Sequence, residues 1–211
     1  MSMRILASSE IRKLLSRRSL VASLSLSVLC WPVTAGFPVQ TGGRAIDRDH
    51  SSLKIHVSKS GFFSAFAHNH DIEAPIASGN VQTTGSPSVE LRIDARKLRV
   101  LDPELSESTR AQIQKTMEGP QVLDAERFPE IHFVSSEVEA KGADHWTVTG
   151  TLDLHGQSHP VTVDVTLKDG FYRGSASFKQ TAFGITPVTV AGGTVKVKDE
   201  LKLEFAIGLT Q

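Results

Sequence analysis

Two histidines one residue apart, in His68-Asn69-His70, are the arrangement in this sequence best suited to gripping a metal ion. On an extended chain residues i and i+2 project to the same side, so both imidazoles can reach one cation. A transition metal asks for further ligands, and His155 and His159 supply one only if the fold carries them there. The competing reading makes the stretch a polar turn, with Asn69 and Asp71 as turn residues and the histidines bonded to a loop or set at a rim. Just upstream, Phe62, Phe63 and Phe66 place three aromatic rings within five positions. That is more than one face of a strand needs, which favours the mouth of a ligand cavity over plain core. His56 and His132 fall on polar strand faces and are expected to be solvated. P-loop, dinucleotide fingerprint, H-E-x-x-H and G-x-S-x-G are all missing, so no catalytic residue is assigned and no cofactor is expected.

The elements that must position these groups are strands. In the ribbon 146–167, Trp146, Val148, Gly150, Leu152 and Leu154 share one face, while Thr147, Thr149, Thr151 and Asp153 share the other. This period of two is that of a half-buried strand. Val161, Val163, Val165 and Leu167 repeat the scheme, and the link 155–160, with Gly156 and Pro160, is expected to make the turn. The same alternation marks Leu53, Ile55 and Val57; the stretch 76–83; Val89, Leu91 and Ile93; Ile131 and Phe133; the stretch 171–178; and Val195 through Leu209. One segment differs. Asp102-Pro103 reads as a helix cap and first turn, Gly119-Pro120 as a stop, and Leu105, Thr109, Ile113 and Met117 form a narrow stripe between them. A surface helix covering one opening of a sheet structure fits so polar a segment. The pattern predicts one all-β domain of seven to nine strands and one helix, closed as a barrel or sandwich.

Residues 1–35 read as a secretory signal: Arg12, Lys13, Arg17 and Arg18 form a basic head, Leu20 opens an apolar run, and Val33-Thr34-Ala35 is a small-residue cleavage site. The paired Arg17-Arg18 also matches a twin-arginine signal. Residues 36–45 are expected to be a flexible lead-in and 46–211 the folded domain, placed in the periplasm or secreted. Removing 1–35 takes five of the 23 Lys and Arg and one of the 23 Asp and Glu, leaving 18 against 22 and a net charge of −4. An acidic surface argues against nucleic acid as a partner. Cys30 is the single cysteine, so the domain has no disulfide and must stand on its core.

The order of motifs resembles the YceI family, periplasmic polyisoprenoid-binding proteins with an extended lipocalin-like barrel. The likeness rests on Asp49-His50-Ser51-Ser52-Leu53-Lys54-Ile55, on Phe128-Pro129-Glu130-Ile131-His132-Phe133 with Ser135-Ser136, on Gly150-Thr151-Leu152-Asp153-Leu154-His155-Gly156 with Pro160-Val161-Thr162-Val163, and on Phe183-Gly184-Ile185. It implies an extended antiparallel lipocalin-like barrel of about eight strands with one capping α-helix. The implied function is that of a non-enzymatic carrier holding an isoprenoid, quinone or fatty lipid, with transient membrane contact. Its walls would be Phe62, Phe63, Phe66, Leu91, Ile93, Phe133, Trp146, Val148, Leu152, Val161, Val163, Phe183 and Phe205. The His68-Asn69-His70 piece departs from the common family pattern, as do Leu98 to Asp102 and Gln180-Thr181-Ala182. A metal- or haem-binding protein using His68 and His70 is therefore the alternative expectation.

Overall fold

Alternating apolar and polar residues build a single sheet that closes on itself. The structure, a computed structural model, describes residues 43–60, 69–190 and 195–211. The expected signal segment, Phe62, Phe63, Phe66 and His68 lie outside the described residues. Among the described residues the strands are β1 (Arg44–Ser60), β2 (His70–Glu73), β3 (Ile76–Gln82), β4 (Ser88–Asp94), β5 (Arg99–Val100), β6 (Glu130–Gly142), β7 (His145–Leu154), β8 (Gln157–Lys168), β9 (Phe171–Lys179), β10 (Thr189–Val190) and β11 (Val195–Leu209), with one α-helix, α1 (Glu107–Glu118). Neighbouring strands run in the order β10-β11-β9-β8-β7-β6-β4-β3-β1-β2-β5, and β1 also pairs with β11. That last pairing closes an antiparallel barrel of eight strands and leaves β2, β5 and β10 as short additions. β1 begins at Arg44, paired through Arg44–Val81 and Ala45–Asn80, so the last residues of the expected lead-in belong to the barrel.

β2 and β3 lie along the same side of β1 and are separated by Ala74-Pro75. Pro75 has no N–H to give, but the Ala74 N–H reaches the Leu53 carbonyl at 2.9 Å and carries the ladder across the break. Bulges alter the parity elsewhere. The register slips between Asp47 and Ser52 on β1, and between Ser135 and Glu137 on β6. Ile46 and Leu53 therefore share the interior although they are an odd number of positions apart, and Val138 turns to the interior along with Ile131 and Phe133.

The β7–β8 turn is tighter than the expected link 155–160, and the β8–β9 turn is equally short. The β7–β8 hairpin turns on His155 and Gly156 alone, at φ 53° and 71°, and the β8–β9 hairpin on Asp169 and Gly170, at φ 54° and 80°. Left-handed backbone at both central residues matches the twist of the flanking strands. Pro160 thus lies inside β8, opposite Thr151, in the half of that strand that precedes the β9 pairing at Asp164–Ser175. A missing N–H on an unpaired edge breaks no ladder bond.

The helix also starts later than expected. Ser106, not Asp102, is its cap, its hydroxyl accepting the Thr109 N–H at 3.2 Å, while Gly119 ends it as expected. Asp102 is drawn away because its carboxylate is engaged with β2, as described below. Gln114 fastens the helix to the edge strand β5: its Oε1 accepts the Val100 N–H at 2.8 Å and its Nε2 donates to the Leu98 carbonyl at 2.6 Å. The side-chain amide thereby takes the place of a further strand at that edge.

Candidate functional site

The inward faces do not fill the barrel. They enclose a cavity of about 610 Å³ bounded by Leu53, Ile55 and Val57 of β1, Leu91 and Ile93 of β4, Phe133 of β6, Trp146, Val148 and Leu152 of β7, Val161, Val163 and Val165 of β8, Phe178 of β9, and Leu201, Leu203 and Phe205 of β11. An eight-strand barrel stands at the size where side chains either fill the interior or leave room for one small ligand. Two glycines help to decide the matter. A Cβ on Gly150 would sit 2.5 Å from the Phe133 ring, and one on Gly174 would sit 2.7 Å from the Phe205 ring. Each ring lies against bare backbone, hugging the wall instead of crossing the lumen. Small side chains such as Ala176 and the β8 valines complete a thin lining.

Leu91, Ile93, Phe133, Trp146, Val148, Leu152, Val161, Val163 and Phe205 all reach the cavity surface. Phe183 does not. It is 1% exposed, with its ring 5.1 Å from that of His159 and 5.5 Å from that of Phe178. A short 3-10 turn, Gln180–Phe183, carries it into the opening where β8 and β9 do not yet pair, in one core cluster with Met117 of α1 and Leu123. There it plugs the barrel, and His155 holds the turn through Nδ1 and the Phe183 carbonyl at 3.0 Å.

The ends of the cavity differ from its middle. The α1 residues Thr109, Gln112, Ile113, Thr116 and Met117 roof one end, beside Ser58, Lys59 and His70. Gln82, Thr83 and Ser88 stand at the other. No Asp or Glu is among the described residues of the wall.

His70 is the histidine that the structure joins to this cavity. Its Nδ1 lies 2.6 Å from Oδ2 of Asp102, whose side chain is 2% exposed, and the Asp71 N–H donates to Oδ1 at 2.9 Å. Arg110 donates to the Asp102 carbonyl at 3.3 Å, so this residue links β2 to the segment entering α1. Asp102 carried only a capping signal in the sequence; its link to His70 spans 32 positions and no local pattern announces it. Among the described residues there is no group of three His, Cys, Asp or Glu able to hold a metal ion. His155 and His159 are occupied with Phe183.

The outer histidines are paired, not merely solvated. His56 sits between Asp71 at 2.8 Å and Glu204 at 3.5 Å, and His132 between Glu90 at 3.0 Å and Asp153 at 3.6 Å. Facing strands β1, β2 and β11, and β4, β6 and β7, bring these charges together across the sheet. The Arg92 guanidinium, followed by the His132 ring, holds the Glu90 carboxyl below its ordinary value, and Arg96 does the same for Asp94.

A closed antiparallel barrel with a hollow apolar interior, roofed by a helix, is the architecture of a small-ligand container. Residues 45–209 match the family model of the YceI-like domain, and the chain belongs to the YceI family. It is 26% identical over 201 residues to a UPF0312 protein of Shewanella denitrificans, covering 89% of this chain and 97% of that one. A UPF0312 protein of Pseudomonas putida is 39% identical over 59 residues, covering 28% of this chain and 31% of that one. Among solved structures, BcnA of Burkholderia cenocepacia superposes with a TM-score of 0.60 at 20% identity, over 79% of this chain and 99% of the other.

Proposed function

We propose that this protein is a non-catalytic carrier that holds one apolar chain, an isoprenoid, quinone or fatty lipid, inside its barrel. The observation that carries the reading is the cavity of about 610 Å³ with a wall of aliphatic and aromatic side chains. That volume lies within the range of roughly 300–1,000 Å³ usual for small-ligand sites. Dry apolar cavities of only about 150 Å³ already take up benzene, because lining atoms without partners forgo dispersion contacts. Transfer of hydrocarbon from water is favourable by roughly 25 cal/mol per Å² buried, so retention requires no reactive group. The family resemblance to polyisoprenoid-binding proteins supports the same reading. An export signal in residues 1–35 would place the carrier in the periplasm or outside the cell, where an apolar molecule needs a vehicle between membranes. Loading would involve brief membrane contact, and nucleic acid is no partner of an acidic domain.

The test is titration of the delipidated protein with an apolar fluorescent probe, beside a variant in which Val163→Trp fills the lumen. The expected result is one probe per chain in the wild type and at least tenfold weaker uptake in the variant. Equal uptake by both proteins would place the probe outside the barrel and remove the basis of the proposal.

A further inference from the structure

The cavity is apolar along its length but carries an oriented imidazole at the helix-roofed end. The Nδ1 of His70 is committed to Asp102 at 2.6 Å. Asp102 is not part of the cavity wall whereas His70 is, and the side chain of His70 keeps 24% exposure. With Nδ1 committed to Asp102 outside the wall, Nε2 is the ring nitrogen left to meet a ligand, and it has no hydrogen-bond partner among the described residues. Because the Asp102 carboxylate accepts the Asp71 N–H on one oxygen and faces Nδ1 with the other, the ring proton belongs on Nδ1. The same bond fixes the plane of the ring, leaving Nε2 as an acceptor in neutral imidazole and a donor in imidazolium. The same cavity is also lined by Ser58, Lys59, Thr109, Gln112 and Lys196, and by no carboxylate among the described residues. A pure hydrocarbon pushed to this end would strip water from these groups and return nothing.

We infer that His70, oriented by Asp102, is the residue that selects the head group of the ligand, and that the ligand is an amphiphile with a terminal oxygen. Its tail fills the barrel, and its hydroxyl, carbonyl or acid oxygen meets Nε2 beneath α1. This rests on the carrier reading and adds to it a direction of insertion and a rule of selectivity.

The experiment compares hexadecane, hexadecanol and hexadecanoic acid as competitors of a bound apolar probe, with wild-type protein and His70→Asn. An asparagine amide can still donate to Asp102 in place of Nδ1 but has nothing at the position of Nε2. The expected result is a loss of about tenfold in the affinity of the alcohol, the acid or both, with hexadecane unchanged, in keeping with one buried hydrogen bond. Should His70→Asn fold poorly, His70→Leu combined with Asp102→Asn serves, since the side-chain amide introduced by the second substitution still accepts the Asp71 N–H; the same selective loss is expected. Equal affinities of the three competitors in both proteins, or a parallel loss that includes hexadecane, would overturn the head-group role while leaving the carrier intact. Failure of all three to displace the probe from wild-type protein would overturn both.

Discussion

At the scale of single residues, the barrel is kept open by what is left out. Gly150 and Gly174 face inward at positions where the strand pattern calls for a side chain, and the rings of Phe133 and Phe205 occupy the vacated space. A methyl group there meets backbone as well as ring, since a Cβ on Gly150 would lie 2.5 Å from the Val134 carbonyl oxygen and one on Gly174 2.4 Å from that of Asp164. Gly150→Ala and Gly174→Ala are therefore each expected to destabilise by roughly 1–3 kcal/mol, read as a lowered urea midpoint. Both should also narrow the lumen and weaken probe uptake. Phe183→Ala removes the plug itself, with an expected loss of about 3–5 kcal/mol in the same measurement.

The paired charges give a pH dependence of definite sign. Glu90 is held below its ordinary 4.5 by Arg92 and then His132, Asp94 below 3.8 by Arg96, Asp47 below 3.8 by His50, and Asp199 below 3.8 by the Thr181 N–H. A carboxyl depressed in the folded state contributes stability that is fully present above its unfolded pKa and is lost as pH falls through the folded one. Urea midpoints should accordingly fall on acidification below about pH 4, and the fall should be shallower in a Glu90→Gln, Asp94→Asn double variant. Equal slopes in the two proteins would show that these pairs contribute nothing measurable, the common outcome for exposed ion pairs.

At the scale of elements, the strands were legible because a barrel wall has one wet and one dry face. Val161, Val163 and Val165 on β8 and Leu201, Leu203 and Phe205 on β11 keep strict period two and lie where alternation puts them, on the lumen. What alternation cannot carry is a bulge. Val138 has the wrong parity relative to Phe133 until the register slips at Ser135, and nothing about Ser135-Ser136 signals an extra residue. Nor does alternation separate a filled barrel from a hollow one, because that depends on whether facing side chains meet across the axis. The start of α1 was misread for a related reason. Asp102-Pro103 has the local chemistry of a cap, but a distant histidine outcompetes the helix for its carboxylate, and Ser106 takes the capping role. Gln114 ties the helix to the edge strand β5 beside the packing of Ile113 and Met117, so Gln114→Ala should leave the Val100 N–H without its acceptor. The expected cost is about 1–3 kcal/mol, with faster hydrogen exchange at Val100 and in α1 than in β7 or β8. Uniform exchange would show that the roof is anchored by packing alone.

At the scale of the whole molecule, closure and hollowness go together. The pairing of β1 with β11 closes the eight long strands into a barrel, and the middle of the lumen so enclosed is lined by apolar side chains. Ring-lined recesses, Phe183 in the opening between β8 and β9, and a roof at α1 make a container with an apolar middle and a polar end at His70. Among the described residues no helix is long and apolar enough to cross a membrane. The proposed carrier holds one apolar chain in this interior. Native mass spectrometry of the purified protein, followed by organic extraction, addresses this most directly. The expected result is one bound molecule per chain, released by solvent and identified as an amphiphile with a long hydrocarbon tail. A protein that carries no such mass, and that gains none when offered isoprenoid alcohols, quinones and fatty acids, would contradict the account.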